Sequence, residues 1–176
     1  MYKRQAYWLA TYGKDFPWKE YDVNGDGIVD HLMIIHAGED QSAGGGDQGD
    51  YSIWAHSSDV NAPFGYVVDS DNNIKVMNYT VVPENADIGV IAHEFGHDIG
   101  LPDLYDVTYM TGNSVSFWDL MASGSWNGPL DGMEPAPINL WGRFVLGWAS
   151  PTMLDTSSPD TPVSYTHLTL PTIYSV

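Results

Sequence analysis

The segment AHEFGHDIGLPDLYD, Ala92 to Asp106, gathers two histidines, a glutamate and three aspartates within fifteen residues. His93 and His97 stand four apart, so on a helix both imidazoles project from one face and can meet one ion. Two neutral imidazoles suit zinc, and a catalytic zinc takes three protein ligands and keeps a fourth position for water. Glu94, next to the first histidine, is placed to take the proton of that water. Gly100 can turn the chain back toward the metal. Asp103, six residues beyond His97, then completes a His-His-Asp set, with Asp106 as its rival for third ligand. Asp98 lies one residue past His97 and should point elsewhere.

A second constellation lies upstream. In DVNGDGIVD the oxygens of Asp22, Asn24, Asp26 and Asp30 fall at alternating positions, with Gly27 at the bend and the Ile28 carbonyl as a further ligand. Hard oxygen donors in this alternation suit Ca2+. A complete EF-hand would place glutamate at the twelfth position, where this chain has Met33, so the last ligand must come from elsewhere. The competing reading is an Asx-rich turn without an ion. His31, His36 and His56 have no partner at metal spacing and read as hydrogen-bonded histidines. His36 and His56, at strand ends, are the two placed to approach a cleft.

The elements that must carry these groups can be read from pattern. HLMIIH reads as a short buried strand and YSIWAHSS as a second one. Between them Gly38 to Asp50 is low in complexity and reads as a flexible solvated loop. FGYVVD and IKVMNYTVV flank SDNN as a hairpin. A helix is expected from about Asp87 to Ile99, capped by Asn85 or Asp87, ended by Gly100 and barred from returning by Pro102. Ile88, Ile91 and Phe95 are expected to anchor it to the core. Residues 107 to 135 read mostly as turns. PINLWGRFVLGW reads as a closing helix whose Ile138, Trp141, Val145 and Trp148 form a core face. The pattern is that of a small α+β domain.

Composition excludes several classes. The net charge of −17 repels nucleic acid and anionic membranes alike. There is no cysteine, so disulfides contribute nothing. No apolar run approaches the ~20 residues of a membrane span. The ends stand apart from the rest: MYKRQ (1–5) and PVSYTHLTLPTIYSV (162–176) resemble translated sequencing-adapter sequence. On that reading the domain occupies residues 6–161 and is truncated on both sides.

HEFGHDIGLPD resembles the extended zinc signature of the metzincin metallopeptidases in its aspartate-ending form. With FWDLMASGSWNG downstream, the longer AHEFGHDIGLPDLYD is similar to the immune inhibitor A-type secreted bacterial metallopeptidases. DVNGDGIVDHLMIIHAG and IWAHSS share that likeness, which therefore covers nearly all of Ala6 to Trp148. It implies a small mixed sheet, an active-site helix, a C-terminal helix and a Met-turn beneath the zinc formed by Met121. It also implies a secreted enzyme with a signal and propeptide upstream. Some metzincins carry a tyrosine two residues after that methionine; here the position is Ser123 and the nearest aromatic is Trp126.

These readings converge on a zinc-dependent endopeptidase acting on protein or peptide laid along a sheet edge, with Glu94 as the base and structural Ca2+ in the 22–30 loop. A different class competes: a calcium-stabilised extracellular binding or adhesion module, derived from a peptidase but inactive. The intact Glu94 separates them, since a decayed enzyme has no reason to keep a base beside two ligands.

Overall fold

The computed structural model describes residues 11 and 13–108, 110–112 and 114–150. Both adapter-like ends, and the aromatic residues Tyr7, Trp8 and Tyr12, lie outside the described residues.

The architecture is mixed α/β. A three-stranded sheet runs in the order β1 (Met33–His36), β5 (Asn78–Pro83), β2 (His56–Asp59). β1 lies parallel to β5, with Met33 opposite Thr80, and β2 lies antiparallel to it, with His56 opposite Val81. β3 (Tyr66–Asp69) and β4 (Ile74–Val76) form the expected hairpin. The apolar run IKVMNYTVV is one segment in sequence but two strands in space. Its first half pairs in the hairpin, and after Met77 its second half becomes the centre of the larger sheet. Trp18, Val29, Ile74 and Val76 form one core beneath the hairpin; Leu101, Leu120 and Met121 form another beneath the helix Ile88–Asp98 (α1).

α1 spans Ile88–Asp98, close to the expected helix. Its N-cap position is Asp87, but that side chain makes no capping bond; the amide of Gly89 donates instead to the Gly132 carbonyl at 2.8 Å. Gly100, at φ +100, ends the helix in a conformation that favours glycine, and the Leu101 amide closes back onto the Gly96 carbonyl at 2.9 Å.

Four expectations need correction. First, α1 is not anchored by a bulky apolar face: Ile88 is 56% and Phe95 37% exposed. Its buried residues are Gly89, Val90, Glu94 and Gly96. The helix comes so close to the 119–126 segment that only glycine fits at Gly89, and at Gly96 a side chain would have to displace the buried Met121 side chain. A methyl at Gly89 would strike the Ser125 carbonyl, and one at Gly96 would strike the Met121 sulfur. Second, β1 is an edge strand with alternating exposure, Ile35 being 67% exposed, because it pairs on one side only among the described residues.

Third, the closing helix α2 is only Leu140–Val145, and neither tryptophan of the expected face is buried: Trp141 within it and Trp148 beyond it are half exposed or more. It seats through Gly142, packed against Ile138 and Leu101, which turns the wide side chains outward. Fourth, Gly38–Asp50 is structured. It holds two 3-10 turns, Gln41–Ala43 and Gly46–Tyr51, arranged around the buried Asp40.

The close approach at Gly89 makes a sign test possible. Alanine at a free helical position stabilises by up to ~1 kcal/mol over glycine. Here overpacking against a backbone carbonyl costs about 1–3 kcal/mol, and the carbonyl cannot rotate away. Gly89→Ala is expected to lower the urea midpoint; a midpoint that rises would show that the helix does not rest on Ser125.

Candidate metal centre

α1 and the turn that follows bring three expected ligands together. One ligand atom each from His93, His97 and Asp103 lies within 4.8 Å of the other two, and no second such group of His, Asp or Glu occurs among the described residues. Asp103 Oδ1 is 3.2 Å from both His93 Nε2 and His97 Nε2. The two imidazole planes stand nearly perpendicular, at 86°.

The outer nitrogens explain why the inner ones are available. His93 Nδ1 donates to the Leu120 carbonyl and His97 Nδ1 to the Leu101 carbonyl, each at 2.8 Å. A carbonyl can only accept, so both protons belong on Nδ1 and each neutral ring turns a bare Nε2 inward. Asp103 Oδ1 is buried and, despite its short distances, makes no hydrogen bond to either ring. Three lone-pair atoms therefore face one another with no proton between them. Such an arrangement is repulsive by itself and fits a cation.

The electrostatics follow from the same packing. Burial disfavours the charged imidazoles, but the Asp103 carboxylate outweighs it and raises the proton affinity of both. Burial would raise Asp103 too, yet the two rings hold its carboxyl well below the usual carboxylate range. Glu94 lies on the buried side of α1, and burial pushes its carboxyl up, with the neighbouring histidines opposing. A partly desolvated carboxylate beside a metal group binds a proton more readily than one in water, as a base requires.

The remaining candidates separate cleanly. Asp106, the rival third ligand, faces Thr108 and Thr111 and accepts from the amide and hydroxyl of each. Asp98 does point elsewhere: it is bonded to His31 Nδ1 and accepts from Asn78 Nδ2 at 2.8 Å. His56 is clamped between the Trp54 carbonyl and the Tyr79 hydroxyl, and His36 Nδ1 contacts the Ala37 carbonyl. Met121 is buried directly beneath Gly96, between the two histidines along the helix, and its carbonyl accepts the Leu104 amide at 2.7 Å.

In the 22–30 loop the side-chain oxygens are turned inward onto backbone amides. Asp22 accepts from Asp26 and Gly27, Asn24 from Asp26, Asp26 from Ile28 and Asp30 from Val23, all between 2.8 and 3.0 Å. Backbone bonds between Gly27, Val29 and Lys75 stitch the loop to β4.

Sequence reasoning did not find Asp119. It is 1% exposed; its Oδ1 accepts the Met121 amide and its Oδ2 the Asn139 amide, each at 2.7 Å. Its signal was present in DLM, an aspartate two residues before the singled-out methionine.

Comparisons with known proteins place the chain among metallopeptidases. The family model described as the immune inhibitor A peptidase M6 catalytic domain matches residues 10–145. The pre-pro-metalloprotease PrtV of Vibrio cholerae serotype O1 (strain M66-2) is 40% identical over 142 residues, which cover 72% of this chain and 15% of that protein. Immune inhibitor A of Bacillus thuringiensis subsp. alesti is 42% identical over 136 residues, covering 68% of this chain and 20% of its own. The chain thus spans a fifth or less of the length of these curated relatives.

The two aspartates give the site its test. Asp103→Ala is expected to lower zinc retention by at least the ~10-fold usual for lost metal contacts, read by elemental analysis after dialysis. Asp106→Ala should retain zinc fully. Zinc loss from the Asp106 variant alone would reverse the assignment.

Proposed function

The chain belongs to the immune inhibitor A peptidase M6 family, and on that premise we propose that it is the catalytic part of a secreted zinc endopeptidase. His93, His97 and Asp103 hold the metal and Glu94 is the base. The observation that carries this reading is the unbonded Asp103 oxygen equidistant from two bare imidazole nitrogens.

Zinc held there would supply a Lewis acid that polarises the scissile carbonyl and makes water a stronger acid. Glu94 takes one proton from the attacking water as its oxygen bonds to the carbonyl carbon. It then delivers that proton to the amine nitrogen as the C–N bond breaks. Leu120 and Leu101, through their carbonyls, hold both rings in the tautomer that leaves Nε2 free. An extended peptide has room along β2, where a polar cavity is lined by Ser57, Asp59, His97 and Asp103. β2 has β5 on one side and no strand on the other among the described residues, so its outer edge can pair with substrate backbone.

We read Met121 as the turn methionine under the metal; its burial beneath Gly96 supports this. The 22–30 loop is read as a structural calcium site formed by Asp22, Asn24, Asp26, Asp30 and the Ile28 carbonyl. Its inward-turned oxygens keep lone pairs beyond those used on amides. A signal and propeptide belong to the same reading, and one relative is itself named a pre-pro-metalloprotease.

Glu94→Gln keeps size and acceptor but cannot take a proton from water. Peptidase activity of the full-length protein should fall ~10²–10⁴-fold with zinc content unchanged. A variant that cleaves at the parent rate would refute the mechanism. A parent that binds zinc yet cleaves nothing would favour the inactive binding module.

For the loop, calcium binding to the folded state alone must raise the melting temperature by mass action. Asp26→Ala should abolish that rise. A melting temperature indifferent to millimolar calcium would leave a plain Asx turn.

A further inference from the structure

Asp98 is the last residue of α1, where a helix least tolerates a carboxylate. The carbonyls that end a helix carry its negative pole, so an anion there is disfavoured. The Asp98 side chain is 2% exposed, so water does not relieve it. Two side chains do. His31 Nδ1 donates to Asp98 Oδ2, and Asn78 Nδ2 donates to Asp98 Oδ1 at 2.8 Å.

We propose that Asp98 is a positioning residue for the metal group, held by His31 and Asn78 so that the last turn of α1 keeps His97 directed at His93 and Asp103. The proposal rests on the metal reading above and adds to it three residues that touch no ion.

The two histidines of α1 are not equally secure. His93 lies in the middle of the helix, whereas His97 is its penultimate residue. Helix ends open readily, because their outermost backbone groups lack helical partners. The amides of Ile99, Gly100 and Leu101 bond to the carbonyls of Phe95, His97 and Gly96, which closes the last turn on itself. Asp98 ties that turn outward. Asn78 opens β5, and His31 stands two residues before β1 begins. Neighbouring residues on a helix diverge by about 100° around its axis. A rotation of the last turn that carries Asp98 off its partners therefore carries the His97 ring off Asp103.

Both anchors are themselves held. Asn78 pairs with Asp59 across β5 and β2. His31 follows Asp30, whose amide bonds to the Tyr21 carbonyl at 3.0 Å and whose carboxylate accepts the Val23 amide at 2.8 Å. On its other side the Leu32 carbonyl accepts the Thr80 amide at 2.8 Å, which joins this segment to β5. The His31 ring also meets Phe95 edge-on, with centroids 5.2 Å apart. Phe95 and Asp98 stand three apart and share a helix face, so His31 grips the last turn at two points.

The test is made on the full-length protein loaded with Zn2+ or Co2+. Zinc release to a chelator is timed, and the visible bands of the Co2+ form report the arrangement of its ligands. Asp98→Ala and His31→Ala should each release zinc on the order of 10-fold faster than the parent, the lower end of what a lost supporting bond does to a metal site. Both should alter the Co2+ bands in the same way. Asp98→Asn keeps an acceptor and His31→Asn keeps a donor near the Nδ1 position, so each should restore release and bands. The double alanine variant should be no worse than the more affected single one, as expected when both act through one contact. The His31 side chain is 53% exposed, so its truncation spares the core and carries the test if Asp98→Ala does not fold. Parent-like release by His31→Ala, or faster release with unchanged Co2+ bands, would overturn the assignment and leave the pair a brace for the fold alone. A parent that holds neither metal would sink the metal reading itself, and this proposal with it.

Discussion

The contact on which the rest depends is the one between α1 and the 119–126 segment. At Gly89 it is made backbone to backbone, against the Ser125 carbonyl, and at Gly96 the Met121 side chain fills the space a side chain would take. Close packing of this kind has little tolerance, so the position of one element fixes the other. Asp119 locks the arrangement from behind. Buried and unable to reach solvent, it spends both oxygens on amides, one at the start of the turn and one at the N-cap of α2. Deleting its carboxylate would leave two donors unsatisfied in the core, each costing about 1–3 kcal/mol.

That contact also sets the direction of the His93 and His97 rings. Leu120 follows Asp119 directly, and its carbonyl fixes the His93 ring. Leu101 follows the glycine that ends α1, and its carbonyl fixes the His97 ring. Neither leucine contributes through its side chain to the site; both bury those side chains in the core under the helix. The same two residues thus anchor the core and orient the imidazoles, which couples the packing of the domain to the geometry of the His93–His97–Asp103 group.

The histidines, Glu94 and the approach of Asp103 were legible because their information is local. A four-residue helical spacing and a glycine stop are properties of consecutive residues. The helix boundaries and the β3–β4 hairpin were legible for the same reason. What pattern could not reveal was set by neighbours distant in sequence. Phe95 looks like an anchor by hydrophobicity, yet the helix face that meets the core is the glycine face, and only the nearness of Ser125 makes glycine the better choice. HLMIIH has the composition of a central strand but lies at an edge, since strand order depends on where residues 78–83 go. Gly38–Asp50 reads as solvated because it is rich in glycine and aspartate; its order comes from Asp40, whose partner Ala55 is fifteen residues away. Trp141 failed in the same manner: the side of α2 that meets Ile138 and Leu101 is the Gly142 side.

The site has a cost that bears on stability as well as reaction. Asp103 carries a half-buried charge whose neighbours are the two imidazoles; with both rings neutral it faces two lone pairs, and a proton or a cation between them relieves that. A cation there would convert mutual repulsion among three lone-pair atoms into attraction toward one centre. It would also act as a cross-link. His93 and His97 belong to α1, whereas Asp103 belongs to the segment whose Leu104 amide bonds to the Met121 carbonyl. Tyr105 continues that segment into a bridge with Ser114. A bound ion therefore ties the helix to the turn beneath it through a second route, independent of the glycine contact. Because the ligands converge only when the chain is folded, part of the binding energy is folding energy. On the proposed reading, metal occupancy and the integrity of the α1 packing would rise and fall together, so Gly89 and Gly96 would matter to the site as well as to the fold.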